Sequence, residues 1–153
     1  MHADLAHTDV WIIDASVAVE YLVALKWPKH ATTVFRGALE HGKELWAPDL
    51  IYTEALSALR RLVTMKAIGT SAGTRATQQL TRLPISVSGT NGLVDAIWSL
   101  RSNLSAYDAS YVALARSLEA TLVTADERLV RSLRAFRDRR DRVVFLGDLA
   151  VGV

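Results

Sequence analysis

The chain has 153 residues, half of them hydrophobic and 22% charged, a composition that excludes a disordered or fibrous protein. It contains no cysteine, which excludes disulfides, thiolate metal sites and a cysteine nucleophile and fits a reducing cytoplasm. The net charge of +2 hides a segregation: residues 1–127 carry 11 basic and 13 acidic side chains, whereas residues 128–153 carry 7 basic, all arginine, and 3 acidic.

No stretch approaches the ~20 apolar residues needed to span a bilayer. Met1–Asp9 holds two aspartates and no Lys or Arg, unlike a secretion signal. With no linker, repeat or low-complexity run, residues 1–153 read as one domain. In chain order, Val10–Ile13 is β-branched and aromatic and reads as a buried strand. Helices follow over about Ser16–Leu25 and Lys29–His41. Glu44–Ala47 is a strand, and Asp49–Lys66 a helix with Leu50, Leu56, Leu59, Leu62 and Val63 at helical spacing. Ile68–Gly73 holds two glycines and reads as a turn, and Ser71–Arg82 is weakly helical. Ile85–Ser88 is a strand after Pro84. Leu93–Arg101 and Leu104–Leu118 are helices, Thr121–Thr124 a strand, Glu127–Phe136 a helix and Val143–Leu146 a last strand. Strands separated by helices of this length predict βαβ units, a parallel sheet and helices on both faces. Ligands in such folds bind beyond the C-terminal ends of strands.

Two carboxylates fall at those ends. Asp14 follows Trp11-Ile12-Ile13, and Asp126 follows Leu122-Val123-Thr124-Ala125. Each also suits the N-cap of the next helix, so cap and site readings both stand for them. Asp108 shares its helical face with Leu104, Tyr111, Val112 and Ala115, where a carboxylate is costly unless partnered. Its bland reading is a capping box with Ser105. Glu54 has Leu50, Ile51 and Ala58 as helical neighbours, or else it reaches solvent from a boundary position. Taken together, four oxygen-donor carboxylates suit Mg²⁺ or Mn²⁺. Like charges so close repel without a cation. Such an ion without a phosphate-binding loop suits attack on a phosphodiester. His2, His7, His30 and His41 are not placed for zinc.

At these residues the sequence resembles the PIN-domain ribonucleases, above all the VapC toxins of toxin–antitoxin pairs. The matching segments are Ile12–Val17, Pro48–Leu56, Leu104–Ala115 and Leu122–Leu129, in order, within a likeness running from about Val10 to Leu146. The resemblance implies an α/β fold, a three-layer α/β/α sandwich with a central parallel five-stranded sheet. It implies Mg²⁺- or Mn²⁺-dependent endonucleolytic cleavage of RNA in the cytoplasm. It carries the family's acidic quartet onto Asp14, Glu54, Asp108 and Asp126, and a supporting hydroxyl onto Thr124. Ser16 is also a frequent family residue. It further implies a homodimer and a small antitoxin protein that blocks the acidic site. The sequence departs from the family in the arginine-rich segment Arg131–Arg142, in the long lead-in Met1–Asp9, and between Gly69 and Asn103, where no motif matches.

On this reading Asp14, Asp108 and Asp126 hold the divalent ion, with Glu54 direct or through water. Arg128, Arg131 and Arg134 recur at helical spacing, and with the arginines at 137, 139, 140 and 142 they are candidates for RNA backbone contacts. Their plain alternative is a solvated helix surface. Rival activities fit less well. Haloacid-dehalogenase-type phosphatases want Asp-x-Asp, but the chain has Asp14-Ala15-Ser16; receivers need a late Lys, but none lies beyond Lys66. A catalytically silent RNA-binding or scaffold domain of the same fold remains the alternative function, and DNA as substrate stays open.

Overall fold

The structure is a computed structural model that describes residues 9–151. Apart from Asp9, the expectations for Met1–Asp9, His2 and His7 fall outside the described residues.

Five short strands form the core: β1 (Val10–Ile13), β2 (Glu44–Pro48), β3 (Ile85–Ser88), β4 (Thr121–Thr124) and β5 (Arg142–Phe145). All pair in parallel, in the order β3-β2-β1-β4-β5. Among the described residues, seven α-helices accompany them: α1 (Ala15–Val23), α2 (Pro28–Glu40), α3 (Ile51–Thr64), α4 (Thr70–Leu80), α5 (Val94–Ser99), α6 (Ala106–Ser117) and α7 (Glu127–Phe136). The steps from β1 to β2 and from β4 to β5 run outward in opposite directions. Right-handed crossovers therefore put their helices on opposite faces of the sheet. The result is the α/β/α sandwich with five parallel strands.

The central strands are apolar because both of their faces are covered. Trp11, Ile12 and Ile13 of β1 and Leu122 and Val123 of β4 each expose 4% or less. Burying a side chain of this size contributes about 1.5–3 kcal/mol. Helix α6 lies against β1, β2 and β4, and α1 packs on α2, α3 and α4. Strand order reverses between β1 and β4, so the crevice outside their C-terminal ends is the switch point of the sheet.

The predicted elements are all present with ends shifted by a residue or two; α4 begins at Thr70, inside the turn expected over Ile68–Gly73, and two further differences have a visible cause. Helix α1 stops at Val23, before the expected Leu25, because Ala24 turns left-handed (φ 52°). The buried Glu20 carboxylate holds that turn by accepting the Lys26 N–H at 3.0 Å and the Trp27 N–H at 2.8 Å. In α3 the buried stripe is Ile51, Ala55 and Leu59, whereas Leu56, expected on it, is 45% exposed. Five residues past Ile51 is about 140° around the helix, off the core-facing side.

Trp27 stacks edge-on against Phe145 at 5.8 Å between ring centroids. Gly147 lies directly beneath this pair. A Cβ there would stand 2.6 Å from Phe145 and 2.9 Å from Trp27. Gly147→Ala is therefore expected to cost about 1–3 kcal/mol through overpacking. Urea denaturation measures this; a loss below about 0.5 kcal/mol would show that the rings move aside freely.

Candidate active site

The ends of β1 and β4 are joined by two hydroxyls. The register pairs Ile13 with Val123, which places Asp14 beside the last residues of β4. The Thr124 hydroxyl donates to Asp14 Oδ2 and accepts the Asp126 N–H at 2.9 Å. The Ser16 hydroxyl donates to Asp14 Oδ1 and accepts the Ala125 N–H at 2.9 Å. Asp14 Oδ1 also takes the N–H groups of Ser16 at 3.1 Å and Val17 at 3.3 Å, so Asp14 is the N-cap of α1. Asp126 caps α7 in the same way, accepting from Arg128 N at 2.8 Å and Leu129 N at 3.3 Å. The cap reading therefore holds for both aspartates, and because each strand ends where its helix begins, the cap leaves the site reading open.

Ser105 caps α6 by accepting the Asp108 N–H at 3.1 Å. That puts Asp108 in the first turn, with Leu104, Tyr111, Val112 and Ala115 all buried around it. Glu54, in the first turn of α3, is half-buried.

Asp14, Glu54, Asp108 and Asp126 line one cavity of about 740 Å³, together with Ser16, Ser57, Arg61, Tyr107, Tyr111 and Arg128 among others. Thr124 is fully buried and is not among the lining residues; it acts through Asp14. Burial pushes the Asp14 carboxyl up to about 6, against hydrogen bonds from Ser16, Thr124 and Val17 and with the charge of Asp126 adding to the rise. Burial also raises Glu54; the neighbouring Tyr111 hydroxyl offsets this in part, and Asp14 and Asp108 reinforce it. Even so, Glu54 Oε1 and the Tyr111 hydroxyl miss hydrogen-bond geometry, and both buried oxygens lack a partner. Burial and the nearby negative charges of Glu54 and Asp14 drive the Tyr111 hydroxyl far above its ordinary range, which keeps it a neutral donor.

The donor set suits a hard divalent cation: oxygens only, one of them buried and unsatisfied, and two carboxyls whose charge the protein alone supports poorly. The fit lies in donor chemistry and not in a closed coordination shell. Among the described residues, no three such side chains gather tightly enough to hold an ion as they stand. A cationic side chain already leans on two of the acids: Arg128 lies 3.4 Å from Asp126 and 3.8 Å from Asp108.

Residues 11–132 match the family model described as PIN domain. The chain belongs to the PIN-domain family. Among its relatives, "VapC ribonuclease Mb0985" of Mycobacterium bovis is 48% identical over 87 residues, 57% of this chain and 68% of the relative. "Ribonuclease VapC1" of Mycobacterium tuberculosis is 34% identical over 125 residues, 79% of this chain and 89% of the relative. The solved structure titled "Crystal structure of PAE2754 from Pyrobaculum aerophilum" has the same fold, with a TM-score of 0.62 at 20% identity over 94% of this chain and 92% of the other.

In this PIN domain the arginines of α7 have different neighbours. Arg128 lines the acidic cavity. Arg131 instead lies 3.8 Å from Glu127, and Arg134 3.5 Å from Asp148. Farther along, Arg140 pairs with Asp138 at 2.6 Å. Arg61, Ser57 and Tyr107 line the cavity but were not among the residues singled out from the sequence. The spacing from Glu54 to Ser57 and Arg61 was the signal for two of them, since i, i+3 and i+7 share a helix face.

Proposed function

We propose that this PIN-domain chain is a divalent-metal-dependent endoribonuclease of the VapC type, the toxin of a pair whose other member is a small antitoxin protein. The cavity that brings Asp14, Glu54, Asp108 and Asp126 to one wall-lined space carries this reading. Family membership and the ribonuclease relatives supply RNA as the substrate class. The resemblance adds a homodimer in the cytoplasm. Among the described residues, no helix is long and apolar enough to cross a membrane.

Asp14, Asp108 and Asp126 would hold Mg²⁺ or Mn²⁺, with Glu54 as a further donor. A bound ion of this kind supplies a water acidic enough to lose its proton near neutral pH and offsets charge on the phosphate. The chain's own residues prepare the space for it. Ser16 and Thr124 fix the orientation of the Asp14 carboxylate. The Tyr111 hydroxyl stays protonated beside Glu54. Arg128 holds Asp108 and Asp126 against mutual repulsion.

The test is cleavage of a panel of single-stranded RNAs by protein stripped with a chelator. Cleavage is expected to be absent, and to return with Mn²⁺ or Mg²⁺. RNA binding without cleavage under any of these ions would overturn the enzyme reading in favour of a silent RNA-binding domain.

A further inference from the structure

We infer that Arg61 seats a phosphate of the RNA next to the scissile one, which makes the face of α3 a track for the substrate backbone. This rests on the ribonuclease reading above.

Three observations carry it. First, Arg61 lines the same cavity as the four acids. Second, Glu54, Ser57 and Arg61 lie along one face of α3. At 1.5 Å per residue, Arg61 stands about 10 Å along the axis from Glu54. The Glu54 carboxylate therefore ends the track on one side and the guanidinium ends it on the other, with Ser57 between. Third, the exposed Arg61 side chain makes no hydrogen bond or ion pair among the described residues. The cavity's other arginine, Arg128, is drawn to Asp126 and Asp108. A guanidinium in the wall of an acid-rich cavity that pairs with none of its acids keeps its donors open to an anion from outside. Its planar fork matches two phosphate oxygens.

The plain alternative is that Arg61, in the last turn of α3, complements the helix dipole. That role would not depend on RNA length or on salt. Cleavage with Mn²⁺ is compared for wild type, Arg61→Ala and Arg61→Lys on two substrates, an RNA of about ten nucleotides and a dinucleoside monophosphate. The latter has no flanking phosphate. For the longer RNA, Arg61→Ala is expected to raise KM about tenfold with kcat within twofold, as loss of one charged contact implies. Arg61→Lys should restore most of that loss. The dinucleoside monophosphate should be cleaved alike by all three.

Binding of the longer RNA is followed by fluorescence anisotropy in an Asp14→Asn background, with and without Arg61→Ala. The slope of log affinity against log salt should fall by about 0.7, the value for one phosphate contact on a single strand. Unchanged KM and slope in an active enzyme would overturn the inference. An equal loss on both substrates would also overturn it, and would point to local disruption. If the wild type cleaves nothing while the slope still falls, the phosphate seat stands and the ribonuclease reading fails.

Discussion

Asp14→Asn is expected to reduce metal-dependent RNA cleavage by about 10³-fold, on the scale of removing one well-placed charge-stabilising group from an active site. Asn ranks with Asp as an N-cap. Its amide oxygen can keep the bonds from the Ser16 and Val17 N–H groups, so the start of α1 is preserved. The loss therefore reports the missing charge and donor oxygen, not unfolding. Circular dichroism should match the wild type. Mn²⁺ should raise the melting temperature of the wild type and not of the variant.

The same substitution has a signature in pH. Folding lifts the Asp14 carboxyl from 3.8 to about 6. The folded metal-free protein thus binds this proton more tightly than the unfolded chain. The stability that Asp14 contributes in its protonated form is present below about pH 4 and is lost as pH rises to about 6. The span is worth about 3 kcal/mol at 1.36 kcal/mol per unit. Asp14→Asn should flatten most of that slope, leaving the part due to Glu54, whose rise has the same sign. Urea denaturation at a series of pH values in chelator measures it. Full cleavage by the variant would sink the site reading, and an unaltered slope would sink the account of Asp14 burial.

Arg116→Ala is expected to destabilise the fold by about 2–3 kcal/mol. Arg116, in the last turn of α6, grips Asp141 with two bonds, Nε to Oδ1 at 2.7 Å and Nη2 to Oδ2 at 2.9 Å, and reaches Asp138 at 3.2 Å. The Asp141 side chain is 5% exposed and that of Arg116 16%. Removing the arginine leaves a buried carboxylate without its partner, a loss of 3–5 kcal/mol when the pair is fully enclosed, and about 2–3 here because Arg116 keeps some water. Arg116→Lys keeps the charge but loses the fork, and should recover only part of the stability. Arg140→Ala is the control. Its pair with Asp138 is exposed on the arginine side and screened by water, so its loss should be clearly smaller than that of Arg116→Ala. Equal losses for Arg116→Ala and Arg140→Ala would remove any special role for the bidentate pair.

The elements were legible because their signals are local. Runs such as Trp11-Ile12-Ile13 and Leu122-Val123 are apolar on consecutive residues, and Asp14, Ser105 and Asp126 stand where helices start. The acidic site was legible for a related reason. In a parallel sheet, an acid that caps a helix after a central strand also faces the switch point. What escaped depends on distant partners or on which side of a helix faces inward. Leu56 looked like core because counting leucines does not fix the phase of the stripe. For the arginine-rich segment, helical spacing leaves RNA contacts and a solvated face both open, and it does not show which acids lie near. Arg116 meets Asp138 and Asp141 of the turn between α7 and β5, and Arg134 meets Asp148 from beyond β5. The unsatisfied Glu54 oxygen arises only when the fold brings Glu54 of α3 and Tyr111 of α6 into one cavity.

The reversal of strand order between β1 and β4 has a consequence for synthesis. Asp14 emerges from the ribosome early, but Thr124, which holds it, follows 110 residues later. Asp108 and Asp126 lie on the same late portion of the chain, after the return from β3 at one edge of the sheet to its middle. A nascent chain that has completed β1, β2 and β3 has half of the carboxylates and neither hydroxyl bridge from β4. The proposed nuclease would stay inert on the ribosome until its last third is made, and a break between β3 and α6 would part Asp14 and Glu54 from Asp108 and Asp126.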